Sequence, residues 1–332
     1  MRPKVTFGIV NCNRLHYLKS CFESLVKSTD DYDNREFIVV DNASLEVGTQ
    51  EYLEQLANRG VKVFRASERE PHNEFARGIN QICREAEGDY VCPLQGDMQF
   101  IVQGGWLERY VDFFEKNKEE VGSIMFDAQR AVTNNGQAKF LSQPRGNFKF
   151  PFLMNTYRSP IAGAADVMYS REILEMIGPW SEDNQAHEGG LDSETEMLDR
   201  VRNILSEKQL RLMCAMPIHP VSIAIYTDAR GTNARVRGTR RYGDYWPAKQ
   251  DDLYYEMISW EDASQSTIGR NTPLSIEEVA HPIGWDAPID AMGSWKKNPI
   301  RPETAASSDY VELEPTVPVE DEAYLSDWLD NE

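Results

Sequence analysis

The alternation of short apolar runs with amphipathic segments in the first 126 residues constrains the fold more than any other feature. Each apolar run is typical of a buried strand, and the runs lie at 4–10, 36–41, 61–66, 89–97 and 121–126. Segments with helical spacing of apolar residues separate them, at 15–28, 48–60, 74–88 and 105–119. This order predicts an α/β fold with a mostly parallel central sheet flanked by helices.

The rest of the chain is less regular. A strand with a short helix is predicted within 162–180, a long helix over 193–210 and a strand over 211–218. We therefore predict one α/β domain over residues 1–225, followed by an extension at 226–300 and an acidic, mobile tail at 301–332. These last boundaries follow the shift to polar and then acidic, proline-containing sequence.

Charge and composition exclude several classes of protein. The net charge of −19 argues against general nucleic-acid binding and against docking on anionic membranes. No run of about 18 apolar residues is present, so no transmembrane segment is predicted. The N-terminus opens directly into a strand-like run, which does not resemble a signal peptide. Five cysteines without regular spacing favour reduced thiols, and a cytoplasmic location is predicted.

Polar residues follow the predicted strands where each strand ends. Asn11 and Asn13 follow the first strand, Asp41 the second and Asp97 the fourth. The carboxyl ends of parallel strands meet at one edge of a sheet, and ligands of such sheets bind there. Asp41 could accept hydrogen bonds from a nucleobase or ribose. The alternative for these residues is helix capping, which explains Asn13 better than Asp41.

Asp97 is also a candidate metal ligand. A nucleotide diphosphate carries close to two negative charges, and a hard divalent cation with oxygen ligands neutralises them. Gln95 removes one potential charged ligand but leaves Asp97, the diphosphate and water. The alternative is that Asp97 caps a turn. Arg77 and Asn80 lie on the preceding predicted helix. Arg77 is predicted either to contact a phosphate or the sugar, or to face the solvent.

The start of the helix predicted over 193–210 carries several acids. Ser193 and Glu196 have the spacing of a capping box, which accounts for Glu196. Glu194 would be the first helical residue, where the helix dipole favours an ionised carboxylate and hence a general base. The alternative is ordinary acid enrichment at a helix start. Asp192 is a second candidate for the base.

Three further residues complete the candidates. His219 follows an apolar strand and precedes a proline, so it is either a metal ligand or a structural residue. His187 lies beside the loop predicted to carry the base, and Trp180 and His187 are candidates for contact with an acceptor.

Four segments together resemble family-2 inverting glycosyltransferases of the GT-A fold over roughly residues 4–220. They are VTFGIVNCNRLHYLKSCFESL, FIVVDNAS, NEFARGINQICREAEGDYVCPLQGDM and GGLDSETEMLDRVR, in the order and spacing of the family. The resemblance implies a nucleotide-sugar-binding half over 1–127 and an acceptor and catalytic half over 128–225. It implies metal-assisted transfer of a sugar to a glycan or other hydroxyl acceptor, a role typical of glycan biosynthesis.

The resemblance also assigns roles to residues. It implies a UDP-, GDP- or dTDP-sugar donor at Asn11, Asn13, Asp41, Arg77, Asn80 and Gln95, with Mn²⁺ or Mg²⁺ at Asp97 and His219. The family's late acidic pair and the arginine that follows fall on Glu194, Glu196 and Arg200, which makes Glu194 the general base. Homo-oligomer formation is left open.

Two departures from the family affect the prediction. Gln95 replaces the usual first acid of an Asp-x-Asp element, and Glu74 stands where glycine is common. The alternative function is therefore a catalytically impaired protein of the same fold that binds a nucleotide sugar or glycan. A nucleotidyltransferase would need a basic glycine-rich loop near Gly8, and a dinucleotide oxidoreductase a G-x-G-x-x-G element. Neither pattern is present.

Overall fold

The computed structural model of the chain describes residues 2–13, 15–70, 73–96, 98–126, 144–145, 152–155, 165–182, 193–210, 212–217, 221–224, 258–260 and 310–317. The helices are α1 (Leu15–Ser28), α2 (Thr49–Asn58), α3 (Glu74–Glu85), α4 (Trp106–Lys116), α5 (Arg171–Ile177) and α6 (Ser193–Glu207). The predicted helices are confirmed, with ends that agree to within three residues.

The first seven strands are β1 (Val5–Asn11), β2 (Arg35–Asp41), β3 (Lys62–Ala66), β4 (Tyr90–Gln95), β5 (Met98–Phe100), β6 (Val102–Gln103) and β7 (Val121–Met125). The others are β8 (Pro144–Arg145), β9 (Phe152–Asn155), β10 (Val167–Ser170), β11 (Met213–Pro217), β12 (Ser222–Ala224), β13 (Ile258–Ser259) and β14 (Tyr310–Glu312). The strands predicted before residue 127 are confirmed as β1 to β4 and β7.

The central sheet has ten strands in the order β14-β3-β2-β1-β4-β10-β7-β11-β9-β8. The strands β3, β2, β1 and β4 are parallel, as predicted. Beyond β4 the sheet is mixed, because β10 and β9 run antiparallel to both of their neighbours. Antiparallel neighbours do not require the helical crossovers that dominate the first 126 residues. The predicted α/β fold with a central sheet flanked by helices is confirmed.

Aromatic packing supports the sheet from the side of α1 and α4. The ring of Phe100 stacks on Trp106 at 5.8 Å and meets Phe126 edge-on at 5.7 Å. Phe7 of β1 stacks on Phe37 of β2 at 5.9 Å. All of these rings are buried in one core, and each buries on the order of 150–250 Å². This core fixes the strands whose carboxyl ends carry the polar residues.

Two glycines let α3 lie directly against β1. A Cβ atom on Gly8 would overlap the Ile82 side chain, and one on Gly78 would lie 2.7 Å from Val10 Cγ1. A larger residue at either position would force the helix and the strand apart. This close contact brings the first residues of α3 beside the carboxyl end of β1.

The C-terminal strand differs from the mobile tail predicted for 301–332. Tyr310, Val311 and Glu312 pair antiparallel with β3, and the Leu313 amide donates to the Val63 carbonyl at 2.8 Å. β3 otherwise ends the parallel block with an unpaired row of backbone groups, and β14 satisfies them. The other domain boundaries remain predictions. The tail residues beyond 317 and most of the extension lie outside the described residues.

A short piece of the predicted extension also contacts the domain. β13 pairs in parallel with β6, and the Trp260 ring packs edge-on against Tyr110 of α4 at 6.4 Å. Within the ranges that the structure describes, no helix combines the length and the apolar character needed to cross a membrane.

Candidate active site

A cavity of about 340 Å³ opens at the carboxyl ends of β1 and β4. Its lining residues come from the ends of both strands, α1, the loops after β2 and β3, and the start of α3. They are Val10, Asn11, Cys12, Asn13, Tyr17, Asn42, Arg69, Glu74, Phe75, Gln95 and Gly96. The structure thus brings the predicted donor-binding residues Asn11, Asn13 and Gln95 together around one cavity, at the sheet edge where a ligand was expected.

Asp41 lies beneath this cavity and has 0 % exposure. Its Oδ1 accepts a hydrogen bond from Asn11 Nδ2 at 2.8 Å, and its Oδ2 accepts one from the Ser44 amide at 2.9 Å. Arg65 Nε lies 3.4 Å from Oδ2. The carboxylate therefore joins the end of β1 to the loop after β2. Its predicted contact with a base or ribose remains a prediction.

Asn13 fixes the same loop from the other side. Its Oδ1 accepts hydrogen bonds from the Leu45 amide at 2.8 Å and the Glu46 amide at 3.2 Å. Its own amide donates to Ser44 Oγ at 2.6 Å. Asn13 and Ala43 both have left-handed backbones, with φ of 54° and 51°. Such backbones cost about 1–2 kcal/mol per residue and persist where surrounding contacts enforce them.

Gln95 is held by a residue that the sequence analysis did not identify. The Gln95 amide donates to Asp166 Oδ1 at 3.0 Å, and the Asp166 amide donates to the Pro93 carbonyl at 2.7 Å. Asp166 is buried and has a φ of 65°. The next residue, Gly96, donates to the Val10 carbonyl at 3.3 Å. The last residues of β4 are therefore fixed against β1 and the segment before β10.

Arg69 and Glu74 are cavity-lining residues of opposite charge. Arg69 Nε lies 2.9 Å from Glu74 Oε2, and Arg69 Nη2 lies 3.1 Å from Oε1. Arg69 was not predicted, although it lies in the loop that follows β3, at the same edge of the sheet as Asp41 at the end of β2. Cys12 lies beside this pair. Burial and the Glu74 carboxylate raise the pKa of the Cys12 thiol to about 11, so the thiol is neutral at pH 7.

Arg77, Asn80 and Trp180 do not line the cavity. Arg77 Nη1 lies 2.7 Å from Glu70 Oε2. Asn80 donates to the Trp180 carbonyl at 2.9 Å and accepts from the Trp180 amide at 2.8 Å. Trp180 is 1 % exposed and its ring meets Tyr169 at 6.1 Å. In the structure these contacts tie α3 to the segment after α5, and the predicted donor and acceptor roles remain predictions.

The first turn of α6 carries Glu194 and Glu196. Both Glu196 oxygens accept from Arg200, at 2.8 Å each, and Arg200 also donates to the Ile177 carbonyl at 2.5 Å and the Pro179 carbonyl at 2.7 Å. Glu196 thus anchors the helix through Arg200, and the predicted capping box with Ser193 remains a prediction. Glu194 is half-buried.

The charge of Glu194 also affects the pKa of Tyr169. Burial raises the pKa of Tyr169 well above its usual value, and the Glu194 carboxylate is among the groups that add to this rise. The other predicted site residues of this region, Asp192 and His187, lie outside the described residues.

The lining is chemically suited to a hard cation. It offers the side-chain oxygens of Asn11, Asn42 and Gln95, and oxygen is the donor that Mg²⁺ and Mn²⁺ prefer. The Glu74 carboxylate is instead bonded to Arg69. Within the described ranges, no group of three or more His, Cys, Asp or Glu side chains is placed to hold a metal ion. The predicted ligands Asp97 and His219 lie outside those ranges.

The model of the family described as glycosyl transferase family 2 matches residues 6–178, just over half of the chain. The chain belongs to this family. The matched range includes every residue that lines the cavity, from Val10 to Gly96. Membership confirms the predicted family and, with the observed sheet, the predicted GT-A fold class. No curated protein matches the family 2 chain.

Several solved structures are similar to this family 2 chain. One is a mannosyltransferase from Pyrobaculum calidifontis in complex with GDP-mannose and Mn²⁺, with 18 % identity, a TM-score of 0.47, and coverage of 71 % of this chain and 60 % of that one. Another is TarS of S. aureus, with 15 % identity, a TM-score of 0.43, and coverage of 64 % and 35 %. A TarS 1–349 complex with UDP-GlcNAc has 14 % identity, a TM-score of 0.42, and coverage of 64 % and 55 %. The chain spans 60 % or less of the length of these proteins.

Proposed function

We propose that this protein transfers a sugar from a nucleotide-diphosphate sugar to an acceptor hydroxyl, with inversion at the anomeric carbon. The observation that carries the proposal is the cavity at the carboxyl ends of β1 and β4 in a family 2 chain. Its lining combines side-chain amides with the guanidinium of Arg69. Amides recognise a base or ribose by hydrogen bonds, and a guanidinium binds phosphate oxygens in a forked geometry.

A divalent cation, Mn²⁺ or Mg²⁺, is part of the proposal. Gln95 and Gly96, which precede Asp97 in the sequence, line the cavity. Asp97 would hold the ion with His219, and the amide oxygen of Gln95 would replace the acid common in the family. When bound, the cation would stabilise the negative charge of the departing diphosphate. Gln95 supplies no charge of its own, so we expect the cation to bind more weakly than it would with an acid at this position.

The proposed reaction is a single displacement at the anomeric carbon. Glu194 accepts the proton of the acceptor hydroxyl, whose oxygen forms the new bond to the anomeric carbon. The bond between that carbon and the diphosphate oxygen breaks, and its electron pair leaves with the nucleoside diphosphate. Attack from the face opposite the leaving group inverts the configuration. Asp192 is the alternative base, and Trp180 and His187 remain candidates for acceptor contact.

Calorimetric titration of the full chain with UDP, GDP and dTDP, each with Mn²⁺, with Mg²⁺ and with EDTA, tests the donor site. We expect one nucleoside diphosphate to bind with a cation and much less tightly with EDTA. Absence of binding for all three in every condition would overturn the proposal. Metal-dependent binding followed by inversion of a transferred sugar would establish it.

Gln95 motivates a second candidate function, a catalytically impaired protein that binds a nucleotide sugar or glycan. It predicts donor binding without turnover for any acceptor, and without slow hydrolysis of the donor. A Gln95→Asp variant separates the candidates. For an active enzyme we expect tighter cation binding with turnover changed less than tenfold, whereas for an impaired one it would restore turnover that the natural chain lacks.

The domain boundaries and the location are also part of this proposal. Residues 1–225 form the catalytic domain, with the nucleotide-sugar-binding half at 1–127 and the acceptor and catalytic half at 128–225, and the protein acts in the cytoplasm. A glycan is the acceptor class that we favour, and a homo-oligomer remains open. Gel filtration with light scattering measures the last point directly.

A further inference from the structure

The C-terminal strand reaches the wall of the donor cavity. β14 lies well beyond the range that matches the family, 6–178, yet its first residue touches a lining residue. The Tyr310 hydroxyl donates a hydrogen bond of 2.5 Å to Asn42 Oδ1. Asn42 lines the cavity and is otherwise buried.

Asn42 connects three parts of the site. Its Nδ2 donates to the Glu74 carbonyl at 3.2 Å, and its amide donates to the Asn11 carbonyl at 2.8 Å. It thus joins the end of β1 to the first turn of α3, where Glu74 meets Arg69. Since the Tyr310 hydroxyl engages the other side-chain atom, it fixes the orientation of the Asn42 amide group.

The ring of Tyr310 makes a second contact with α3. The guanidinium carbon of Arg77 lies 5.6 Å from the ring centroid, within cation–π range. Burial raises the pKa of Tyr310 above its usual value, so the hydroxyl keeps its proton at physiological pH and donates a hydrogen bond to Asn42 Oδ1. The backbone is held independently by the pairing of β14 with β3 and by the Leu313 amide.

We propose that Tyr310 is a positioning residue for the donor cavity and that docking of β14 is coupled to nucleotide binding. Tyr310 acts through Asn42, which sets the amide orientation and the start of α3. The inference rests on the proposed function, because it assigns the cavity to the nucleotide. Coupling is reciprocal, so a nucleotide that prefers the ordered cavity also stabilises the docked strand.

The variant Tyr310→Phe in the full chain tests the positioning role. It removes the hydroxyl, leaves the ring beneath Arg77 and keeps the β14 backbone. We expect the Kd of the bound nucleoside diphosphate, UDP or GDP with Mn²⁺, to rise about 3- to 10-fold, the range that one net hydrogen bond gives. The matched control is Val311→Ala on the same strand, whose side chain is 65 % exposed, and its Kd should not change.

A merely structural role predicts a different pattern. It would lower the Tm of the nucleotide-free Tyr310→Phe variant and leave its Kd equal to that of the natural chain, and this result would overturn the inference. If the natural chain binds neither UDP nor GDP with Mn²⁺, the proposed function fails and the inference fails with it. If the natural chain binds the nucleotide and the Tyr310→Phe variant binds it with the same Kd, the inference is overturned while the proposed function stands.

Hydrogen exchange of the natural chain provides a second test that needs no variant. We expect the backbone amides of residues 311–313 to exchange at least threefold more slowly when UDP or GDP with Mn²⁺ is bound. Exchange of these amides that is unchanged on binding, while amides around Asn42 become protected, would overturn the coupling.

Discussion

Arg69 and Glu74 bond to each other through two atom pairs, at 2.9 and 3.1 Å, while both side chains line the cavity. Their hydrogen bond to each other raises the pKa of Arg69, which is cationic in any case. In this arrangement the lining carries an acid that would compete with the proposed diphosphate for the same guanidinium. A bound diphosphate must therefore displace Glu74 or share Arg69 with it.

The two members of this pair should affect donor binding in opposite directions. Arg69→Gln removes a charged donor and should raise the Kd of UDP or GDP with Mn²⁺ about 10-fold or more, because hydrogen bonds to charged groups contribute about 1.5–3 kcal/mol. Glu74→Gln frees Arg69 and removes a negative charge, and should lower the Kd about 2- to 5-fold. Calorimetric titration measures both values.

The control for this pair is Lys116→Gln. Lys116 forms an exposed ion pair with Asp112 on α4 at 3.1 Å and does not line the cavity. Its Kd should equal that of the natural chain. Weaker binding by both the Arg69 and Glu74 variants would contradict the competition between Glu74 and the diphosphate.

Glu194→Gln should lower turnover about 10²- to 10⁴-fold, the usual contribution of a general base, and leave the nucleotide Kd unchanged. Steady-state rates and calorimetry with the same protein preparation give the two numbers. Glu207→Gln is the matched control, since Glu207 is an exposed acid at the other end of α6. Near-normal turnover of Glu194→Gln together with an inactive Asp192→Asn variant would move the base to Asp192.

Removal of one partner of the buried pair Arg200 and Glu196 should destabilise the fold around α6. Arg200 is 2 % exposed and its removal leaves the Glu196 carboxylate and the Ile177 carbonyl without their donor. We expect Arg200→Met to lower the free energy of unfolding by about 3–5 kcal/mol, the range for breaking a buried pair. Chemical denaturation followed by circular dichroism measures this loss.

A double variant and a surface variant serve as controls for the loss of stability in Arg200→Met. Glu196→Leu combined with Arg200→Met replaces both charges by apolar groups and should recover part of the loss. Arg84→Met removes a partly exposed arginine of α3 and should cost less than about 1 kcal/mol. A loss for Arg200→Met no larger than that for Arg84→Met would argue against a structural role of the buried pair.

Glu36 should make stability depend on pH in the acid range. Burial acts to raise the pKa of Glu36, but hydrogen bonds from Thr6 Oγ1, the Glu87 amide and Lys4 outweigh it and lower the pKa below the ordinary 4.5. A carboxylate with a lowered folded pKa stabilises the fold above its unfolded pKa, and this stabilisation is lost as the pH falls through the folded value.

The measurement is the free energy of unfolding from pH 7 to pH 3. We expect the natural chain to lose stability below about pH 4.5 and Glu36→Gln to show a shallower decline over the same interval. Glu51→Gln, an exposed acid on α2, should keep the natural slope. Parallel curves for the natural chain and Glu36→Gln would rule out this contribution of Glu36.

The spacing of apolar and polar residues along the sequence predicted the helices, the parallel strands and the polar residues at the strand ends. The apolar spacing of α1 fixes its bounds at Leu15–Ser28, as predicted. Asn11, Asn13 and Gln95 meet at one cavity because the carboxyl ends of parallel strands share an edge, a rule that needs no knowledge of distant contacts. The family resemblance rests on the same ordered segments.

Long-range contacts account for what the sequence did not reveal. Tyr310 and Asn42 are 268 positions apart, and no local pattern in the acidic tail indicates an edge strand. Asp166 holds Gln95 from 71 positions away through a left-handed backbone. Asp41 was predicted at the right edge, but its burial depends on Asn11, Ser44 and the packing around them. Such contacts arise from tertiary packing, which overrides local propensity.

The pairing of β14 with β3 sets an order in time for the growing chain. Ribosomes add about 5–20 residues per second, and about 240 residues separate Ala66 from its partner Tyr310. The free edge of β3 is therefore synthesised roughly 10 to 50 s before the strand that covers it. In that interval β3 itself carries two charged residues, Lys62 and Arg65, which disfavour pairing of its free edge with a neighbouring nascent chain.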